Sequence, residues 1–192
     1  KEDIPRLLPA RKPDSHKGSY GKVLMITGSY GMAGASCLAA MAAYTAGAGL
    51  VQIYTPADNR VIVQQLLPEA VLSCYNGYDE KKLDELLEWA DVVCIGCGLG
   101  TDRQAEQLLT RTIEKVKVPC VVDADGINLL SRNKDLLGNS AAPLILTPHM
   151  MEMSRLTGYS VAELKADRVS AAERFAAEYP AVCVLKDGRT AV

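Results

Sequence analysis

Residues 17–49, KGSYGKVLMITGSYGMAGASCLAAMAAYTAGAG, restrict the fold more than any other stretch. Val23-Leu24-Met25-Ile26-Thr27 is short and apolar, the pattern of a buried strand. It breaks at Gly28 into a loop that also holds Gly31 and Gly34. An Ala-rich run of high helix propensity, Ala35 to Ala46, follows. Strand, glycine loop and helix in that order aim backbone N–H groups at the space beyond the strand, a site for an anion or a close-packed ligand. A tight βα turn whose glycines serve only positive φ fits the same residues.

The alternation continues along the chain. Apolar runs predict strands over 23–27, 50–54, 70–74, 91–95, 120–123, 144–147 and 182–186. Between them, helices are expected over 33–46, 58–67, 79–89, 102–116, 126–130, 150–157 and 161–178. Thr101 with Gln104 and Ser160 with Glu163 have capping-box spacing. Short apolar strands alternating with helices predict an α/β fold, a mostly parallel sheet covered on both faces. Residues 16–192 form one expected domain, preceded by an arm or linker, 1–15, with Pro5, Pro9 and Pro13. The net charge of −2 and the lack of a Lys/Arg run argue against nucleic acid, and no apolar run reaches membrane-spanning length. The six cysteines lack the spacing of a disulfide scaffold and read as reduced core thiols in a cytoplasmic protein.

In such sheets ligands lie beyond the carboxyl ends of the strands. The segments there are 28–34, 56–58, 96–101, 123–128, 148–152 and 187–190. Gly96-Cys97-Gly98-Leu99-Gly100 is one residue short of a dinucleotide fingerprint, and no Gly-Lys-Ser/Thr follows Gly28 to make a phosphate loop of the Walker type. Asp123 and Asp125 at a strand end could serve Mg²⁺ through water or orient a hydroxyl; helix capping and a bond to loop backbone are the alternatives. His149 and Glu152 fall at a helix start, where an acid is favoured, and there is no His-Glu-x-x-His pattern for zinc. Cys94 and Cys97 have C-x-x-C spacing across a strand end and read as inert buried thiols. The Tyr78, Lys82 spacing of short-chain dehydrogenases is a chance match at a polar helix start. Lys186-Asp187-Gly188-Arg189-Thr190 could meet phosphate or form a simple turn.

In order, these segments resemble the ADP/ATP-dependent NAD(P)H-hydrate dehydratases of the ribokinase-like superfamily. The resemblance is carried by 15–21, 28–35, 96–101, Asp123-Ala124-Asp125-Gly126, Leu146-Thr147-Pro148-His149 with Glu152, and Val184-Leu185-Lys186. It implies a ribokinase-like three-layer αβα fold with a mostly parallel central sheet. It also implies repair of hydrated NADH and NADPH: the ring hydroxyl is phosphorylated from ADP or ATP with Mg²⁺, then phosphate leaves. Substrate contacts carried over are Ala35, Gly98 and His149, with Gly34, Gly96 and Gly100 letting backbone approach the ligand. Lys186, Asp187, Gly188, Arg189 and Thr190 fall on the nucleotide side. Related kinases have Asn-x-x-Glu after the corresponding strand, its Glu serving Mg²⁺; here His149 replaces the Asn and Glu152 keeps the acid. The superfamily's catalytic Asp, in a Gly-x-Gly-Asp segment, has no counterpart in these residues. The domain is therefore expected to be C-terminally incomplete, and the isolated fragment inactive. Family relatives also occur fused to an epimerase domain, and a homo-oligomer is expected. A kinase for a vitamin or sugar hydroxyl and a non-catalytic nucleotide-binding module are the competing readings.

Overall fold

Each apolar run expected as a strand forms one, with ends shifted by at most three residues. The computed structural model describes residues 11–192. Its strands are β1 (Lys22–Ile26), β2 (Leu50–Pro56), β3 (Val71–Tyr75), β4 (Val92–Ile95), β5 (Cys120–Val122), β6 (Leu144–Leu146) and β7 (Ala181–Cys183). They pair in parallel throughout, in the order β3-β2-β1-β4-β5-β6-β7. The connecting helices are α1 (Ala33–Ala46), α2 (Arg60–Leu66), α3 (Glu80–Trp89), α4 (Arg103–Lys115), α5 (Asp125–Leu130), α6 (Leu136–Asn139), α7 (Met150–Thr157), α8 (Val161–Ala166) and α9 (Arg168–Glu178).

Side chains alternate across the strands and divide the core in two. Leu24, Ile26, Val93, Ile95, Val122 and Leu146 face one side and pack with Leu86 of α3, Leu109 and Ile113 of α4, Met153 of α7 and Phe175 of α9. Met25, Val51 and Ile53 face the other side, under Ala33, Cys37 and Ala40 of α1 and Val63 of α2. The small residues of α1 let its axis lie close to the sheet. Coverage on this second face ends near β1. Val92, Cys94 and Val121 line a groove of about 970 Å³ beside Ala42, Ala43 and Ala46, and Val182 of β7 is 47% exposed. Among the described residues, the expected two-sided cover is thus complete on one face only.

Several local expectations change. The helix expected over 161–178 breaks at Asp167, which leaves the helical region with φ −148° and caps α9 by accepting from Ser170 N. Ser160 and Glu163 form their capping box. The box expected for Thr101 and Gln104 does not form: Asp102 is the cap, accepting from Ala105 N at 2.8 Å. A carboxylate one residue on outcompetes the hydroxyl because it is the stronger acceptor. Of the cysteines, Cys37, Cys120 and Cys183 are core, whereas Cys74 is exposed and Cys94 and Cys97 are partly so. Residues 1–10 of the arm lie outside the described residues. Arg11 stacks on the Tyr20 ring at 4.3 Å and donates to Gly47 O, holding the end of the arm to the body.

Candidate active site

The chain runs outward from β1 to β3, then returns to place β4 on the other side of β1. The loops after β1 and β4 therefore diverge at a switch in strand order, where open α/β sheets bind ligands. Here the two loops touch, Gly28 N donating to Cys97 O at 2.9 Å.

Buried polar groups fix the loop after β1. Thr27, Ser36, Thr55 and Asn59 are all buried. Thr27 Oγ1 bonds Ser36 Oγ at 3.1 Å, while Asn59 Nδ2 donates to Thr55 Oγ1 at 2.9 Å and Ser29 O at 3.2 Å. Gly28 has φ +80°, and a Cβ there would stand 2.4 Å from Ser36 Oγ. The sequence offered no sign of this polar plug, because its members lie in separate elements.

The loop after β4 packs against two neighbours. A Cβ on Gly98 would stand 2.6 Å from Ala35 Cβ, so two of the three residues assigned to substrate are in contact. Gly96 also permits a close approach within the protein: a Cβ there would stand 2.0 Å from Asp123 O and 2.6 Å from Gly126 N. Asp125 does not cap α5. Its Oδ2 accepts from Gly100 N at 2.9 Å, tying the loops after β4 and β5 together.

Asp123 links this half of the edge to the other. Its Oδ1 accepts from Lys186 Nζ at 2.6 Å and Thr147 Oγ1 at 2.7 Å, and Cys97 Sγ lies 3.8 Å from Oδ2. Burial pushes the Asp123 carboxyl up, but the Lys186 and Thr147 bonds together outweigh it and hold it below the usual range. A carboxyl depressed in the folded state stabilises the fold above its unfolded pKa and loses that contribution as pH falls through the folded value. Lys186 and Asp123 side chains are 42% and 26% exposed, so solvent screens the pair. Asp123→Asn is expected to cost about 1 kcal/mol at neutral pH, a cost that is lost as pH falls from the ordinary carboxylate range through the lower folded value. Urea unfolding of both proteins across that range checks this, and a difference independent of pH would contradict it.

His149 and Glu152 form a reciprocal cap on α7. His149 Nδ1 accepts from Met151 N and Glu152 N, and His149 N donates to Glu152 Oε2 at 2.8 Å. With Nδ1 accepting, the ring proton sits on Nε2, 3.2 Å from Glu152 Oε1. Glu152 is only 4% exposed, and its Oε2 is held by His149 N. His149 bridges Lys186 in parallel, Lys186 N donating to Pro148 O. His149, Lys186 and Asp187 share a cleft of about 470 Å³ with Lys165, a cation the sequence reading did not single out. Leu185 and Ala191 exchange backbone bonds at 2.8 and 3.1 Å and close a hairpin loop. Within it, Gly188, Arg189 and Thr190 are exposed and Asp187 pairs with Arg168 at 3.0 Å.

One line of contacts thus runs along the strand ends, from Ala35 through Gly98, Cys97, Asp123 and Lys186 to His149. This is the ribokinase-like three-layer αβα architecture. The chain belongs to the NAD(P)H-hydrate dehydratase family, whose profile matches residues 23–192. It is 39% identical over 191 residues to the bifunctional NAD(P)H-hydrate repair enzyme Nnr of Escherichia coli, covering 100% of this chain and 36% of that protein. It is 38% identical over 194 residues to the ADP-dependent (S)-NAD(P)H-hydrate dehydratase of Neisseria meningitidis, covering 98% of this chain and 63% of the relative. A crystal structure of the ADP/ATP-dependent NAD(P)H-hydrate dehydratase of Bacillus subtilis, co-crystallized with ATP/Mg²⁺, superposes with a TM-score of 0.85 at 33% identity. That match covers 99% of this chain and 66% of the other.

Proposed function

We propose that the protein repairs hydrated NADH and NADPH by nucleotide-dependent dehydration. The observation that carries this reading is Asp123. It joins the Ala35–Gly98 contact, assigned to the hydrated ring, to Lys186, assigned to the nucleotide. Phosphoryl transfer asks the protein for positioning and charge neutralisation more than for covalent chemistry. Lys186 has three donor hydrogens, spends one on Asp123 and can present the others to phosphate. The exposed backbone of 187–190 lies beside it. Once the ring hydroxyl is phosphorylated, the C–O bond breaks, phosphate departs and loss of a ring proton restores the double bond.

Mg²⁺ would neutralise phosphate charge. Among the described residues, no group of three or more His, Cys, Asp or Glu side chains could hold a metal ion. Hard carboxylate oxygens nevertheless suit Mg²⁺, which is often held by one or two carboxylates plus substrate phosphates. The donor set fits an ion arriving with the nucleotide, and Glu152 would serve it through water. The acid that accepts the hydroxyl proton is assigned to a Gly-x-Gly-Asp segment these residues do not contain. Asp102, the nearest carboxylate of suitable placement, is committed to capping α4. That segment, a fused or associated epimerase and a cytoplasmic location belong to the same reading. So does a homo-oligomer, which would bury exposed Leu38 and Met41 of α1 and Val61, Ile62 and Leu66 of α2.

His149→Asn tests the substrate assignment, because Asn is a good N-cap and replaces the imidazole without uncapping α7. Hydrate affinity is expected to fall by about fivefold, one hydrogen bond of about 1 kcal/mol, with nucleotide affinity unchanged. Calorimetry with each ligand measures both. An unchanged hydrate affinity would leave His149 as a helix cap only.

A further inference from the structure

The strand ends carry a second concavity, on the side of the Gly98 loop away from Lys186. Ser29 and Tyr30 after β1, Asp58 after β2 and Leu99 after β4 line a cleft of about 220 Å³, together with Asp102 and Gln104 at the start of α4. Tyr30 is 85% exposed on its rim. The residue before it is held in place, Ser29 O accepting from buried Asn59 Nδ2 at 3.2 Å. A phenol ring kept in water on a fixed backbone is a stacking surface without a partner. Gln104 has a buried side-chain nitrogen that, among the described residues, has no hydrogen-bond partner. An orphaned buried donor is costly and marks a place where an acceptor belongs. Asp58 is exposed, and Asp102 spends Oδ1 on its cap to Ala105 N, which leaves carboxylate oxygens to accept. No Lys, Arg or His among the described residues lines the cleft. Its chemistry therefore suits a flat, uncharged group rich in hydroxyl and amino hydrogens, and it repels phosphate. A nucleoside meets that description.

Position decides whose nucleoside it is. Lys186 lies beyond β7 and bonds Asp123, which follows β5. A nucleotide whose phosphates meet Lys186 is separated from the cleft by the hydrated ring itself. From Asp123 the centre of the cleft, over β1 and β2, is two to three strands away, about 10–14 Å at the usual strand spacing. A dinucleotide with its ring at Gly98, extended along the strand ends, reaches that far. We propose that this cleft is the subsite for the adenosine end of the hydrated dinucleotide, and that its carboxylates favour hydrated NADH over hydrated NADPH. This rests on the proposed function, which puts the ring at Ala35 and Gly98. Adenine stacks on Tyr30, the ribose hydroxyls donate to Asp58 and Asp102, and Gln104 offers its unspent N–H to an adenine nitrogen. The same carboxylates repel the 2′-phosphate that distinguishes NADPH.

The test uses the protein expressed from its whole reading frame, its nucleotide site filled with a non-hydrolysable ATP analogue and Mg²⁺, so that binding is read without turnover. Calorimetry compares hydrated NADH, hydrated NADPH and hydrated reduced nicotinamide mononucleotide, which keeps the ring and lacks the adenosine end. Hydrated NADH should bind about tenfold more tightly than the mononucleotide, the usual worth of one base stacked on an aromatic ring. It should bind severalfold more tightly than hydrated NADPH. Tyr30→Ala should collapse the first preference and Asp58→Asn the second. A Tyr30→Ala loss that falls on dinucleotide and mononucleotide alike, or on the ATP analogue, would overturn the subsite. Hydrated NADPH binding as tightly as hydrated NADH would overturn the role of the carboxylates. The wild-type comparison stands alone if a variant does not fold. Equal binding of all three hydrates would sink the subsite and leave the proposed function standing, whereas failure to bind any of them would sink both.

Discussion

Gly96→Ala is expected to remove more than about 3 kcal/mol of stability, a large part of the roughly 5–15 kcal/mol that holds a domain together. Two penalties combine. Gly96 has φ +117°, a strain on the order of 1–3 kcal/mol for a residue with a side chain. The added methyl would stand 2.0 Å from Asp123 O, a backbone atom that cannot rotate away. Either the loop after β4 or the turn into α5 must move, and both carry the candidate site. Gly31→Ala separates the penalties: Gly31 has φ +79° and nothing within 4 Å of its would-be Cβ. It should show the conformational cost alone. Urea unfolding of the two variants decides the matter, and equal losses would contradict the packing described for Gly96.

Lys186→Met is expected to weaken nucleotide binding tenfold or more, the loss of a charge-assisted bond of about 1.5–3 kcal/mol. Methionine keeps much of the apolar stem and removes the ammonium, so the effect reports charge. Stability should fall by less, since Thr147 still bonds Asp123. Titration calorimetry with ADP and ATP measures the affinity. An unchanged value would make Lys186 a structural partner of Asp123 alone.

The strands were legible because a buried parallel strand needs a short apolar run, and the chain places loops between each run and its helix. What the sequence concealed is non-local. Asp123 and Lys186 are 63 positions apart, and only the order β5-β6-β7 brings them together over Thr147. The cap on α7 was half visible, in Glu152 three residues after His149, but an imidazole is an uncommon cap. The break at Asp167 was hidden by a helical pattern running through it, although an Asp three residues before Ser170 is itself a capping signal. Ala35 and Gly98 were assigned by resemblance; that they pack together, where the first turn of α1 meets the loop after β4, was not legible in the sequence.

Hydrated NADH incubated with the protein expressed from its whole reading frame tests the central claim most directly. Reduced-nicotinamide absorbance should return when ADP or ATP and Mg²⁺ are present, with phosphate released in equal amount, and should not return when nucleotide is left out. Recovery at the same rate without nucleotide would contradict the account, as would phosphorylation of a sugar or vitamin in preference to the hydrate.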